Sequence, residues 1–382
     1  MKIVADSNLA LIEPDIPAGV ELLRVDGRKI RNEHVRDADA LLVRSVTRVD
    51  SDLLQGSRVR FVGTATAGLD HLDTDFLEKS AVSYCSAPGC NADAVVDYCL
   101  AALAYARLEL DVNAESASIG IVGVGNVGGR LCNRLLDLGY SVMLNDPPLQ
   151  DTGETSFAGA PLLPLDQLAG CQVISLHVPY SIQGQHPTRD LIGKDFLAAL
   201  PDGCLLINTC RGEVVAEGAL QALLQKPRAH TVVDVWRNEP DVDVELVQSV
   251  TLATPHIAGY SALAKRNGVK QVLARLWSWA EEEGRLDTMP ELPGNDASGS
   301  LIELKPGQNA DCWKAAIEVL PIASISQKFK QSVLASTEGN GFDQMRKAMQ
   351  QRREFSEYGI SASGLSEDEQ SSYRALGFQL LR

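Results

Sequence analysis

Ser118-Ile119-Gly120-Ile121-Val122-Gly123-Val124-Gly125-Asn126-Val127-Gly128 is the stretch that decides how this chain is read. The apolar run 118–122 has the length of a buried strand, and it passes without a spacer into glycines at 123, 125 and 128. That spacing lets a strand turn tightly into a helix while backbone amides approach a pyrophosphate at the helix N-terminus. An amphipathic stretch follows, with Val127, Leu131, Leu135 and Leu138 on one face. Asp146 ends the next apolar run about twenty residues on, where a carboxylate accepts from the adenosine ribose hydroxyls and repels a 2′-phosphate. NAD rather than NADP is therefore the expected cofactor, and no Arg or Lys occurs between Arg134 and Arg189 to hold the extra phosphate. A glycine turn that only packs a helix on a sheet has the same spacing, as does one that holds a flavin or another adenosine ligand.

Outward from this loop, short apolar runs recur at 118–122, 141–144, 172–176, 204–208, 231–235 and 251–254, separated by helical segments. The alternation predicts a doubly wound parallel sheet. Upstream, the runs 2–5, 40–43, 59–63 and 81–85 read as buried strands of a second α/β layer. Residues 92–110 carry Val95, Val96, Cys99, Leu100 and Leu103 at helical spacing, with Asn91 or Asp93 available as a cap, and 261–283 read as a second long helix. Both are expected to be hinge helices. The predicted arrangement is a discontinuous, flavodoxin-like α/β substrate domain over 1–93 and 256–285, into which a Rossmann NAD-binding domain over 94–255 is inserted. The run 288–300 has the composition of a linker. Residues 286–382 read as a small α+β C-terminal domain, with Trp313, Ile317, Leu320, Phe342 and Phe355 as its candidate core.

At 382 residues, 45% of them hydrophobic, the chain has material for two or three packed domains. A formal charge of -15 argues against nucleic acid or an anionic membrane surface as partner, so an anionic substrate needs local cations. The eight cysteines form no Cys-x-x-Cys pair, which argues against a metal site or a disulfide scaffold. No apolar run reaches the roughly 20 residues of a membrane span, and no secretory leader pattern opens the chain. A cytoplasmic protein with reduced thiols is the expectation.

Three segments after predicted strands carry chemistry: Cys210-Arg211-Gly212-Glu213, Asp234-Val235-Trp236-Arg237-Asn238-Glu239-Pro240 and Thr254-Pro255-His256-Ile257-Ala258-Gly259. His256 follows the last strand of the predicted sheet, where ligands of parallel sheets bind. Its unperturbed pKa of about 6.5 suits taking a proton from a hydroxyl and returning it. Glu239 can bond the other ring nitrogen and fix the tautomer. Arg211 can hold a carboxylate through two parallel hydrogen bonds, although a loop pairing with Glu213 would also satisfy it. Asp234 can accept from a nicotinamide amide, or equally cap the next turn.

With these residues in view, the chain resembles the D-isomer-specific 2-hydroxyacid dehydrogenases over roughly residues 1–285. The resemblance implies Arg211, Glu239 and His256 as the catalytic trio. It also implies that Asn126, Val127, Asp146, Ser175, Thr209, Cys210, Asp234 and Gly259 line NAD beside the loop glycines. Trp236 and Ser175 stand where many members have Phe and Thr, and neither change removes a needed group.

A subgroup with an added C-terminal domain is matched more narrowly. The matching features are the opening 2–6 with Arg44-Ser45-Val46-Thr47, the loop 63–71, and the segments 342–347 and 352–354. This implies a phosphorylated 2-hydroxy acid as substrate, contacts to it from Ser45, Thr66 and Tyr260, and a homodimer built by the C-terminal domain. Arg44 is the first candidate for the phosphate. Arg346 and Arg353 are candidates from a partner subunit, or else lie on a solvated helical face. A dehydrogenase of phosphoglycerate or glycerate, and an NAD-responsive co-regulator, are the competing readings.

Overall fold

In the computed structural model of the chain, the structure describes residues 1–10, 15–110, 112, 117–286, 290, 301–304, 311–335 and 340–381. The chain divides into two compact units, Met1–Asn91 with Ser261–Gly299, and Ala92–Tyr260 with Ser300–Arg382. The expected linker 288–300 lies outside the described residues apart from Pro290.

The first unit is built on strands β1 Lys2–Asp6, β2 Glu21–Val25, β3 Ala40–Val43, β4 Phe61–Thr64 and β5 Ser83–Cys85. They form one parallel sheet in the order β2-β1-β3-β4-β5, the flavodoxin-like arrangement. A parallel sheet is covered on both faces, which is why β1, β3 and β4 are almost continuously apolar. Helix Ala262–Glu282 covers one face, where Val272, Leu276 and Trp277 join Ile3, Ala5, Leu42 and Phe61. Val35, Leu53 and Leu77 cover the other with Val4, Leu41, Val43 and Val62. Gly63 allows the helix this close, since a Cβ there would run into the Val272 side chain. The edge strand β2 was not expected from the sequence. Its residues alternate between exposed and half-buried, so it lacks the apolar run that marks the central strands.

The second unit contains β6 Ser118–Val122, β7 Ser141–Asn145, the hairpin strands β8 Ser156–Phe157 and β9 Ala160–Pro161, then β10 Val173–Leu176, β11 Leu205–Asn208, β12 His230–Val233 and β13 Leu252–Ala253. Apart from the hairpin these form a parallel sheet in the order β13-β12-β11-β10-β6-β7. The chain reverses direction across the sheet between β6 and β10, and at such a switch point the loops beyond the strand ends open a crevice. The predicted helix over 92–110 is observed as Ala92–Glu109.

The C-terminal residues add a small parallel sheet, β14 Ile302–Leu304, β15 Tyr358–Ser361 and β16 Gln379–Leu381, in that order, with helices Cys312–Val319, Ile322–Ala335, Asn340–Ala348 and Glu367–Leu376. Of the predicted core, Trp313, Leu320, Phe342 and Phe355 are buried, and Ile317 packs against the cluster that holds Trp313, Leu320 and Phe355. This segment does not cluster separately from the six-stranded sheet, because their apolar cores are shared. Phe329 lies 6.2 Å from Trp236 between ring centroids, and Trp313 meets Tyr140 edge-on at 6.1 Å.

Candidate active site

The glycine loop is held open by its own geometry. Gly123 adopts φ +92°, a conformation that L side chains avoid, and a Cβ on Gly128 would collide with the Gly123 carbonyl. Gly125, in contrast, faces open space and is the exposed N-cap of helix Asn126–Asp137. This cradle fits an anionic group set against free backbone amides. Asp146 stands beside it: its Oδ2 accepts the Val124 N–H at 2.7 Å, and its Oδ1 caps the following turn through Leu149 N–H at 3.0 Å. One carboxylate thus ties the end of β7 to the turn after β6. Ser175 is buried, and its Oγ lies 2.8 Å from His177 Nε2. Desolvation pushes the His177 ring down to about 3, so it stays neutral. His177 was not singled out from the sequence, where only its two-residue spacing from Ser175 hints at the pairing.

Three loops follow neighbouring strands, and the sheet order β13-β12-β11 sets them side by side. After β11, Asn208 organises the turn: its Oδ1 accepts the Cys210 N–H at 3.2 Å and its Nδ2 donates to the Arg211 carbonyl at 3.1 Å. Arg211 Nη1 donates to the Cys210 carbonyl at 2.8 Å. Thr209 is half-buried, and its Oγ1 lies 3.8 Å from Cys99 Sγ. Burial pushes the Cys210 thiol up to about 11, so the group is a protonated thiol with little nucleophilic character. At Gly212 the Arg211 loop presses on the next one, since a Cβ there would strike the Trp236 carbonyl carbon.

After β12, Asp234 is completely buried and its carboxylate takes three protein donors. Thr254 Oγ1 donates to Oδ1 at 2.6 Å and Ile257 N–H to Oδ1 at 2.8 Å, while Ala258 N–H reaches Oδ2 at 2.8 Å. Asp234 thus holds residues on both sides of His256, on a loop about twenty residues further along the chain. Tyr98 Oη, 2.6 Å from Thr254 Oγ1, extends this buried chain to helix Ala92–Glu109. His256 itself has φ +56°, a left-handed conformation rare for a side chain of its size and sustained here by the Asp234 bonds.

Held this way, His256 Nδ1 lies 2.7 Å from Glu239 Oε2, and Glu239 Oε1 accepts the Trp236 N–H at 2.8 Å. Burial pushes the Glu239 carboxyl up, but the His256 charge and hydrogen bond, the Trp236 amide and the Arg346 charge outweigh it, so the net shift is downward. An ionised carboxylate only accepts, so Nδ1 carries the hydrogen, and in the neutral ring Nε2 is the nitrogen with the lone pair. With its imidazole 32% exposed, His256 can meet a ligand. This arrangement can remove a proton from a hydroxyl and hold the resulting imidazolium against a fixed negative charge.

Two arginines that entered the sequence reading only as parts of C-terminal motifs, or as a partner's side chain, reach this loop within the same chain. Arg352 donates to the carbonyls of Tyr260 at 2.6 Å, Ala258 at 2.7 Å and Ala94 at 2.9 Å. The Arg346 guanidinium lies 5.1 Å over the Tyr260 ring. Gly259, between these contacts, is half-buried.

The first unit holds the other candidates at the carboxyl ends of β3 and β4. Arg44 Nε donates to the buried Asp6 at 2.8 Å, and Ser45 is exposed. Thr66 Oγ1 lies 2.9 Å from Thr64 Oγ1, which in turn is 2.8 Å from His71 Nε2. Lys265, missed in the sequence reading, is pushed down to about 8 by burial and by the charge of Arg44. Among the described residues no cluster of metal-ligating side chains occurs, and no helix is long and apolar enough to cross a membrane.

Residues 105–258 match the family described as "D-isomer specific 2-hydroxyacid dehydrogenase, NAD binding domain". Among solved structures, the chain is similar to the cofactor (NAD+) bound 3-phosphoglycerate dehydrogenase of Entamoeba histolytica, with a TM-score of 0.62 and 22% identity over 76% of this chain and 98% of that one. It is also similar to the NAD-dependent formate dehydrogenase of Staphylococcus aureus, with a TM-score of 0.60 and 19% identity over 74% and 96% of the two chains. At these identities the likeness concerns the fold. The erythronate-4-phosphate dehydrogenase of Marinobacter nauticus is 40% identical over 388 residues, covering 100% of both chains. That of Hahella chejuensis is 38% identical over 391 residues, covering 100% of this chain and 99% of its own. Matched along its whole length, C-terminal segment included, the chain belongs to the erythronate-4-phosphate dehydrogenases within the D-isomer-specific 2-hydroxyacid dehydrogenase family.

Proposed function

We propose that this chain catalyses the NAD-dependent oxidation of 4-phospho-D-erythronate to (R)-3-hydroxy-2-oxo-4-phosphobutanoate, a step toward pyridoxine 5′-phosphate. The observation that carries the reading is the 2.7 Å contact between Glu239 and His256 at the strand ends of a sheet whose family match is an NAD binding domain. The full-length likeness to relatives named for this activity supports the choice of substrate. Bound NAD supplies the hydride acceptor. His256 Nε2 takes the proton of the substrate 2-hydroxyl as the C2–H bond gives up its hydrogen with both electrons, and the C2–O bond becomes a carbonyl. Glu239 keeps the hydrogen on Nδ1 and offsets the imidazolium charge. Arg211 clamps the substrate carboxylate by two parallel hydrogen bonds and orients the adjoining carbon.

Gly123, Gly125, Asn126, Val127 and Gly128 cradle the pyrophosphate in this reading, and Asp146 accepts from the adenosine ribose. Ser175, Thr209, Cys210, Asp234 and Gly259 line the cofactor, and Asp234 also fixes the His256 loop. Arg44, Ser45, Thr66 and Tyr260 contact the substrate. The domain roles are a substrate domain over 1–93 and 256–285, an NAD domain over 94–255, and a C-terminal segment over 286–382 through which two copies pair as a homodimer.

The test is a panel of 2-hydroxy acids (4-phospho-D-erythronate, 3-phosphoglycerate, D-glycerate and D-lactate) with NAD, followed by NADH absorbance. Selective turnover of the phosphorylated four-carbon acid supports the reading. Preference for a three-carbon acid assigns another dehydrogenase activity, and turnover of none overturns enzymatic function.

A further inference from the structure

We propose that Arg346 binds the phosphate of the substrate, so that a residue of the C-terminal segment sets the preference for a phosphorylated 2-hydroxy acid. The inference rests on the reading given under Proposed function. Its starting point is how this side chain is held. The guanidinium lies 5.1 Å from the Tyr260 ring centroid and 5.6 Å from that of Phe342, with only 15% of the side chain exposed. Two aromatic faces fix the plane of a cation without consuming its N–H donors. Those donors are under-used: Nε is buried without a hydrogen-bond partner, and Asp343, one helical turn away, lies 3.9 Å from Nη1, at the outer limit of an ion pair. An anionic ligand would be met by the terminal nitrogens, since the buried Nε presents no surface to it.

The position points the same way, since the ring over which Arg346 stands belongs to Tyr260, four residues beyond His256. Tyr260 directly follows Gly259 in the His256 loop, and its carbonyl is pinned by Arg352 at 2.6 Å. The aromatic platform under Arg346 is therefore tied to the same backbone as the base. In a chain of net charge -15, a phosphomonoester close to His256 needs such a local cation, and a planar guanidinium meets two phosphate oxygens at once. Arg44 is the weaker candidate, because its Nε is already spent on the buried carboxylate of Asp6.

The experiment compares wild type, Arg346→Met and Arg346→Lys on 4-phospho-D-erythronate and on unphosphorylated D-erythronate with NAD. Arg346→Met should raise KM for the phosphorylated acid by about 10- to 100-fold and lower the ratio of kcat/KM between the phosphorylated and unphosphorylated acids by a similar factor. Arg346→Lys, which keeps the charge and loses the fork, should recover part of that loss. An equal fall in kcat/KM for both acids would mean that Arg346 acts through Glu239, and no change in either would mean that it is structural packing; both results overturn the inference. If the methionine variant does not fold, as judged by its circular dichroism and NAD affinity, the lysine variant decides: an unchanged ratio between the two acids overturns the inference. Failure of the wild type to turn over either acid overturns the parent reading and this one with it, whereas normal wild-type turnover with an unaltered ratio in the variants overturns this one alone.

Discussion

Glu239 bonds His256 through one carboxylate oxygen, at 2.7 Å, and the Trp236 backbone through the other, at 2.8 Å. The side chain that orients the imidazole is therefore itself oriented, by the loop against which Gly212 presses the Arg211 segment. Replacing it by an isosteric amide removes the charge and keeps the shape. Glu239→Gln should lower kcat by about 10²-fold, with NAD affinity unchanged. Because the carboxyl is held below its ordinary value of 4.5, its bond to His256 is intact above that value and is lost as pH falls through the lowered one. On the acid side of kcat/KM the wild type should show this ionisation as a further break below the one that His256 protonation gives both enzymes, and the glutamine variant should lack that further break, as steady-state rates across pH will reveal.

Asp234→Asn tests the anchor of the His256 loop. The amide retains one acceptor for Thr254 and Ile257, and turns an N–H₂ toward the Ala258 N–H that Oδ2 now accepts. A loss of about 1–3 kcal/mol in unfolding free energy is expected, measured by urea titration, together with a fall in kcat as His256 leaves its left-handed conformation. Unchanged stability would show that the three bonds do not hold the loop.

For Asp146→Ala, two effects should appear together. The helix cap to Leu149 disappears, at a cost of about 1 kcal/mol, and the discrimination between NAD and NADP relaxes. Dissociation constants for both cofactors, measured by fluorescence, check the second effect independently of the first.

Asp97 gives a pH dependence of stability. The carboxyl is buried, which raises its titration to about 7 from 3.8; its Oδ2 accepts the Phe355 N–H at 2.7 Å, and its Oδ1 has no hydrogen-bond partner. Since the folded value lies above the unfolded one, the protonated form is favoured by folding. That contribution is complete below 3.8 and is lost as pH rises to about 7. Relative to Asp97→Asn, the wild type should lose stability across this window and hold a constant difference above it, as thermal unfolding at a series of pH values would show.

Much of this architecture was legible because parallel sheets are buried on both faces. The central strands read as uninterrupted apolar runs, and each functional residue follows one of them. Edge strand β2 escaped for the complementary reason, having a face in solvent. The pairing of Glu239 with His256 could be read from loop order, since neighbouring strands bring successive loops together. The anchoring of the His256 loop by Asp234 was not read from the sequence, because a carboxylate at a strand end gives no local sign of a partner about twenty residues away. Arg346 and Arg352 were the hardest to place, being separated from Tyr260 by about ninety residues and meeting it only in the folded chain. No periodicity encodes a contact at that range, and the composition shift after residue 284 suggested a separate body instead.

The account depends most on His256 as the group that takes the hydroxyl proton. The direct measurement is NADH formation from 4-phospho-D-erythronate by wild type and His256→Ala at saturating NAD, with NAD binding measured in parallel. The predicted result is robust turnover in the wild type and a kcat lower by about 10² to 10⁴ in the variant at equal NAD affinity. Turnover by the alanine variant at the wild-type rate would contradict it.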